Sequence, residues 1–179
     1  IGVVVPRTVD DIVTAVAVCR ELDAPILMRG AGTSLCGQTC NVAVVLDVSR
    51  HLTRIVEIDP QARTAVVEPG VICDSLRNAA ERHGLTFGPD PATHSRCTLG
   101  GMIGNNSCGA HSVMAGKTVE NVEALEILTY DGERMWVGPT SPQQLDAIVA
   151  AGGRRGEIYS ALAALAAEHG ERVRREFPK

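Results

Sequence analysis

"MRGAGTSLCG", residues 28–37, follows the apolar stub Pro25-Ile26-Leu27 and is followed only by loop-like residues. It holds Gly30, Gly32 and Gly37, the hydroxyl pair Thr33-Ser34, and one cation, Arg29. Glycines allow positive φ and let a ligand come close to the backbone. Successive free N–H groups in such a turn converge on an anion. Thr33 and Ser34 add hydroxyl donors. Two readings stay open here: a cradle for a phosphate or pyrophosphate, and a turn that merely reverses the chain. A Rossmann crossover is excluded by context. Gly30-x-Gly32 lacks the third glycine, since position 35 is Leu, and no helix pattern begins there. A phosphate held here would lie on loop amides, not on a helix end.

Outward from this loop the chain reads as alternating strands and helices. Val3–Val5 is an expected strand. A helix of about sixteen residues follows, with Val9, Ile12, Val13, Val16, Cys19 and Leu22 at helical spacing; Thr8 is its expected N-cap. Ile26–Met28 and Val42–Asp47 are further strands, giving a parallel β-α-β opening. Arg54–Asp59 and Arg63–Glu68 read as a hairpin turning at Asp59-Pro60-Gln61-Ala62. Val71–His83 reads as an amphipathic helix with Ile72, Leu76, Ala79, Ala80 and His83 on one side, closed by Gly84. Leu85–His111 is a long stretch rich in Gly, Pro, Asn and Ser, the kind of segment that inside a compact domain is functional or disordered. Its apolar Leu99, Met102 and Ile103 argue for order and for one short helical turn. Val122–Tyr130 and Arg134–Val137 flank Asp131-Gly132, which predicts a type I′ hairpin. Ser141–Ala150 and Glu157–His169 read as helices, and a break is expected near Lys117–Val122.

A second glycine loop, "TLGGMIGNNSCGAHS", spans residues 98–112. Gly100, Gly101, Gly104 and Gly109 permit close approach, and Asn105, Asn106 and Ser107 supply polar side chains. Two such loops in a small domain either line one elongated ligand or are unrelated. "AGKT", residues 115–118, imitates the end of a P-loop, but position 111 is His instead of Gly, and a strand pattern follows where a helix is needed. The histidines His51, His83, His94, His111 and His169 form no metal-binding spacing; His94 and His111 are candidates to face a ligand. No Ser-His-Asp set or carboxylate pair follows from spacing. Arg172, Arg174 and Arg175 read as a solvated helix face.

The net charge of −4, the pI near 5.7 and an aromatic content of 3% exclude a general nucleic-acid binder. No apolar run is long enough for a transmembrane helix, and no signal peptide is visible. The six cysteines include no C-x-x-C and read as free thiols of a reducing compartment. The ends read as cuts in a longer protein.

Taken in order, three blocks resemble the flavin-binding domain of the vanillyl-alcohol oxidase / p-cresol methylhydroxylase type. They are "VVVPRTVDDIVTAVAVCRELDAPILMRGAGTSLCGQ", "VEPGVICDSLRNAAERHGLTFGPDPATHSRCTLGGMIGNNSCG" and "GKTVENVEALEILTYDGERM". Within that family the chain is similar to FAD-linked D-2-hydroxyacid dehydrogenases, the D-lactate dehydrogenase and glycolate oxidase subunit group. "GGMIGNNSCG" resembles large members fused to an iron–sulfur domain. The resemblance implies an α+β, two-subdomain FAD-binding fold, truncated here: residues 1–118 as the first subdomain with the pyrophosphate loop, and 119–179 as an incomplete start of the second. It implies FAD contacts at Arg29, Gly30, Ala31, Gly32, Thr33, Ser34, Gly37 and Gln38. A second set comprises Pro91, Thr98, Gly100, Gly101, Gly104, Asn105, Asn106, Ser107 and Gly109.

The chain departs from the family pattern in three ways. Ala31 stands where many relatives have Gly, and Ala115 precedes Gly116 where relatives often carry an aromatic. His111 lies in no motif of covalent flavin attachment, so non-covalent FAD is expected. The cap domain with the substrate-binding and catalytic residues is missing, so no catalytic residue is assigned and no turnover is expected of these residues alone. A small 2-hydroxy acid would be the full-length protein's substrate, with an iron–sulfur cluster a candidate only in its missing C-terminal part. The electron acceptor is unassigned, and the expected location is cytoplasmic, at most peripheral to the inner face of a membrane. The alternatives are an FAD oxidoreductase of this fold acting on another alcohol or a sugar, a cell-wall reductase, or a non-catalytic nucleotide-binding module.

Overall fold

Thr8 sets the start of the first helix. Its Oγ1 accepts the Asp11 N–H at 3.2 Å, and the Asp11 carboxylate accepts the N–H groups of Arg7 and Thr8 at 2.8 and 2.9 Å. This capping box satisfies donors the helix cannot. The same bonds, that from the Arg7 N–H foremost, hold the Asp11 carboxyl below the ordinary aspartate range. The computed structural model describes residues 1–177. In it α1 runs Val9–Glu21, shorter than the expected span, because Leu22 caps it and Asp23 turns to φ 50°. Val16 and Cys19 are its buried residues.

Three parallel strands share the first sheet: β1 (Gly2–Val4), β2 (Ile26–Arg29) and β3 (Val44–Asp47), in the order β1-β3-β2. β1 lies one residue earlier than expected, since Pro6 has no N–H to continue a ladder. β3 lacks the first two residues expected of it, and the Asn41 side chain takes the Val42 N–H instead. Parallel strands need a long crossover. From β2 to β3 that crossover contains no helix or strand. Residues 30–43 therefore leave the carboxyl end of β2 as bare loop.

β4 (Ile55–Asp59) and β5 (Thr64–Val67) form the expected antiparallel hairpin. Asp59 Oδ1 accepts the Gln61 and Ala62 N–H groups, and Arg63 turns to φ 59°. The core beside it gathers Val71, Cys73, Leu76, Cys97, Leu99 and Met102, with Ile55, Val67 and Phe87 packed against it. Helix α2 (Cys73–Glu81) is shorter at both ends than Val71–His83. Val71 O takes the Leu99 N–H, Cys97 O takes the Cys73 N–H, and Ile72 bridges Thr98, so residues 71 and 72 are extended by backbone pairing. Ile72 and His83 are exposed. The expected single turn is a full helix, α3 (Leu99–Asn105), with Leu99 and Met102 buried. The sequence reading missed α4 (Ser112–Ala115) and the 3-10 turn Thr118–Asn121.

Contacts divide the chain into two compact units, Ile1–Val122 and Glu123–Lys179. The second holds β6 (Leu125–Leu128) and β7 (Arg134–Val137), then α5 (Pro142–Ala151) and α6 (Gly153–Glu176). The expected type I′ turn is corrected. Type I′ needs positive φ at both central residues, yet Gly132 alone in this turn has it. Gly132 N–H bonds Thr129 O at 3.0 Å, and Thr129 N–H bonds Glu133 O at 2.9 Å. The loop is a tight turn over Tyr130-Asp131 followed by a left-handed glycine, the longer hairpin form. α6 extends well past Glu157–His169 at both ends, and Arg172 and Arg175 pair with Glu176 on its exposed surface.

Candidate functional site

Arg29 ends β2, and its guanidinium folds back over its own loop. Nη1 donates to Thr39 O at 3.3 Å, and Nη2 lies 2.5 Å from where a Cβ on Gly32 would sit. Gly32 has φ 70°, which L side chains rarely adopt. Arg29 thus holds the loop's shape as well as supplying charge at its mouth. Among the described residues, the N–H groups of Ala31, Gly32 and Thr33 donate to no protein acceptor. Gly37 turns again at φ 78°, with open space around it.

The two glycine loops meet. A Cβ on Gly30 would fall 2.1 Å from Thr98 Oγ1. Asn105 Nδ2 donates to Ser34 Oγ at 3.2 Å and to Gly101 O at 2.9 Å, and Gln38 Nε2 donates to Asn105 Oδ1 at 3.0 Å. Thr98 is buried, and its Oγ1 caps α3 through the Gly101 N–H at 3.4 Å. Gly100 lies on Pro69, whose carbonyl accepts its N–H at 2.8 Å. A Cβ on Gly104 would meet nothing within 4 Å outside its own helix backbone. Contacts therefore join Gly30, Ser34, Gln38, Thr98, Gly101 and Asn105 into one contiguous set.

The remaining expected residues are placed around that set by other contacts. Asn106, at φ 46°, ends α3 and accepts the Val119 N–H at 3.0 Å. Ser107 O accepts both the N–H and the Oγ1 of the buried Thr118, at 3.0 and 2.7 Å. Asn106 and Ser107 thereby tie the end of α3 to the 3-10 turn. Gly109 is wedged on the Asp90 backbone, where a Cβ would lie 2.0 Å from the Asp90 carbonyl oxygen. Pro91 O accepts the His94 N–H at 2.8 Å.

Sequence reasoning missed Asp90, Thr118 and Asp74. The Asp90 carboxylate accepts the His111 N–H at 3.0 Å and pairs with His111 Nδ1. The His111 side chain, then its N–H, holds the Asp90 carboxyl below the ordinary range. His94 Nδ1 sits 2.7 Å from the Asp74 carboxylate. The signal for Asp90 was its place in Pro89-Asp90-Pro91. For Thr118 it was the P-loop decoy, whose Gly116 (φ 73°) in fact ends α4.

Residues 1–138 match the family described as FAD binding domain. D-2-hydroxyglutarate dehydrogenase of Pseudomonas putida is 34% identical over 179 residues, which is 98% of this chain and 18% of that protein. Glycolate oxidase subunit GlcD of Bacillus subtilis is 38% identical over 139 residues, 76% of this chain and 29% of the relative. D-lactate dehydrogenase of Archaeoglobus fulgidus is 32% identical over 136 residues, 76% of this chain and 30% of that one. Among solved structures, alkyldihydroxyacetonephosphate synthase superposes with a TM-score of 0.66 at 21% identity, over 76% of this chain and 25% of that one. The chain spans less than a third of the length of each of these proteins.

Proposed function

The chain belongs to the FAD binding domain family, and from that membership we propose that residues 29–38 and 98–109 together hold the cofactor's diphosphate. The observation that carries this reading is the joining of the two loops, by Asn105 to Ser34 and Gln38 and by Gly30 against Thr98. The residues fit the group. Unused N–H groups at 31–33 suit phosphate oxygens, Thr33 adds a hydroxyl, and the left-handed Gly32 keeps side-chain atoms out of the path. The attachment is non-covalent. Residues 1–118 and 119–179 are proposed as parts of two FAD-binding subdomains.

FAD, when bound, supplies the two-electron oxidation; this chain supplies binding and orientation. The full-length protein is proposed to oxidise a small D-2-hydroxy acid to the 2-oxo acid, with its catalytic base outside these residues. The activities named for the relatives at 32–38% identity support that substrate class. The described residues hold no cluster of His, Cys, Asp or Glu fit for a metal. An iron–sulfur cluster is therefore proposed only for the rest of the full-length protein. Among the described residues no helix is long and apolar enough to cross a membrane, in keeping with a proposed cytoplasmic or peripheral location.

The test is the visible spectrum of the full-length protein, before and after anaerobic D-lactate and D-2-hydroxyglutarate. A flavin band that bleaches supports the dehydrogenase. A band that persists with both keeps the flavoprotein and points to another alcohol or a sugar. Folded protein that takes up no FAD returns the chain to a non-catalytic module.

A further inference from the structure

Cys73 and Cys97 are 24 residues apart in the sequence and lie face to face in the structure. Ile72 and Thr98 form an antiparallel bridge, and the next pair outward is Cys73 and Cys97, joined by the Cys73 N–H to Cys97 O bond at 3.0 Å. Residues directly opposite on antiparallel strands have Cα atoms about 4.5–5.5 Å apart, inside the span a disulfide bridges. Both side chains belong to one buried cluster, Cys73 at 0% and Cys97 at 5% exposure. Cys73 Sγ also reaches Pro89 O at 3.6 Å. The exposed thiols, Cys36, Cys40 and Cys108, are on loops.

We propose that Cys73 and Cys97 are a reversible oxidation site, forming an intrachain disulfide with a small hydroperoxide as oxidant. The two thiols divide the work. The proximity of the two thiols, with the Thr93 side chain and nearby His94, lowers the Cys97 thiol, while contact with Cys97 and burial push Cys73 up. In this step Cys97, the slightly more exposed of the two, is the thiolate that attacks the peroxide. The O–O bond breaks, Cys97 becomes a sulfenic acid, and one oxygen leaves as hydroxide. Cys73 sulfur then displaces the sulfenic oxygen, forming the S–S bond, and that oxygen leaves as water with the Cys73 proton. In balance, two thiols and one hydrogen peroxide give one disulfide and two waters; an alkyl hydroperoxide gives one water and its alcohol instead. The bond would staple the first turn of α2 to the residue before Thr98, which caps α3 and abuts Gly30.

The test treats the folded full-length protein with hydrogen peroxide, blocks remaining thiols by alkylation, and maps peptides without reduction. The expected result is a peptide pair joined through Cys73 and Cys97, two hydrogens lighter than its parts, that separates on reduction. Treating Cys36→Ser/Cys40→Ser/Cys108→Ser protein in parallel should leave that yield within about twofold, because the proposed link joins Cys73 to Cys97 alone. Recovery of Cys73 and Cys97 as free thiols while the loop cysteines oxidise would overturn the proposal. So would Cys97 found as sulfinic acid without the link. A Cys73→Ala protein, checked for its fold by circular dichroism, should accumulate trappable sulfenic acid at Cys97; none at that position would also count against it.

Discussion

At the scale of single residues, the proposed site depends on where a side chain is absent. Gly32→Val should abolish FAD uptake by the folded full-length protein, because the branched side chain meets both a left-handed backbone and the Arg29 guanidinium. Unchanged flavin content in that variant would remove the first loop from the site. Gly30→Ala should destabilise by about 1–3 kcal/mol, since its methyl would overlap Thr98 Oγ1. Adding Thr98→Ala removes the clashing hydroxyl, so the pair should be non-additive in urea melts. Asp90 has a pH signature. Its carboxyl titrates below the ordinary value in the folded protein, first because of the His111 side chain. It therefore contributes stability that is present above the unfolded carboxylate pKa of about 4 and is lost as pH falls through the lower folded value. Asp90→Asn should flatten that part of the acid-side loss of stability; an unchanged pH profile would show that the pair with His111 adds none.

At the scale of elements, α3 links the core to the proposed site. Its underside, Leu99 and Met102, is buried in the main cluster, while Asn105 on its last turn reaches the first loop. The two faces should separate by mutation. Leu99→Ala should cost about 2–5 kcal/mol of stability, measured by denaturant titration. Asn105→Ala should cost about 1 kcal/mol of stability, less than Leu99→Ala, and weaken FAD binding about five- to tenfold, since bonds of this kind are worth about 1 kcal/mol each. An Asn105→Ala protein with unaltered FAD affinity would show that the bridge between the loops does not shape the site. The sequence showed the apolar spacing of α3 but not its length, because Gly100, Gly101 and Gly104 lower helix propensity. Burial of Leu99 and Met102, with Thr98 as cap, outweighs that cost.

At the scale of the whole molecule, these 179 residues expressed alone should reduce no dye with D-lactate or D-2-hydroxyglutarate, whereas the full-length protein should. Turnover by the short chain would place a catalytic base within it. The order of the glycine blocks, the parallel opening and the capping residue Thr8 were legible in the sequence. Each depends on neighbours close along the chain: the Thr8 hydroxyl oxygen three residues from the N–H it accepts, or a run of β-branched residues. What sequence could not give was set by contacts between distant segments. Pairing of residues 71–73 with 97–99 shortened α2 and brought Cys73 to Cys97. Asp90 was claimed by Gly109 and His111, and Asn106 and Ser107 were claimed by Thr118 and Val119. The sequence by itself determined which loops are bare enough to admit a cofactor, because glycine's freedom belongs to the residue. Only the tertiary structure decided that they meet, because that required Thr98 to pack on Gly30 and Asn105 to reach across some seventy residues of chain to Ser34 and Gln38.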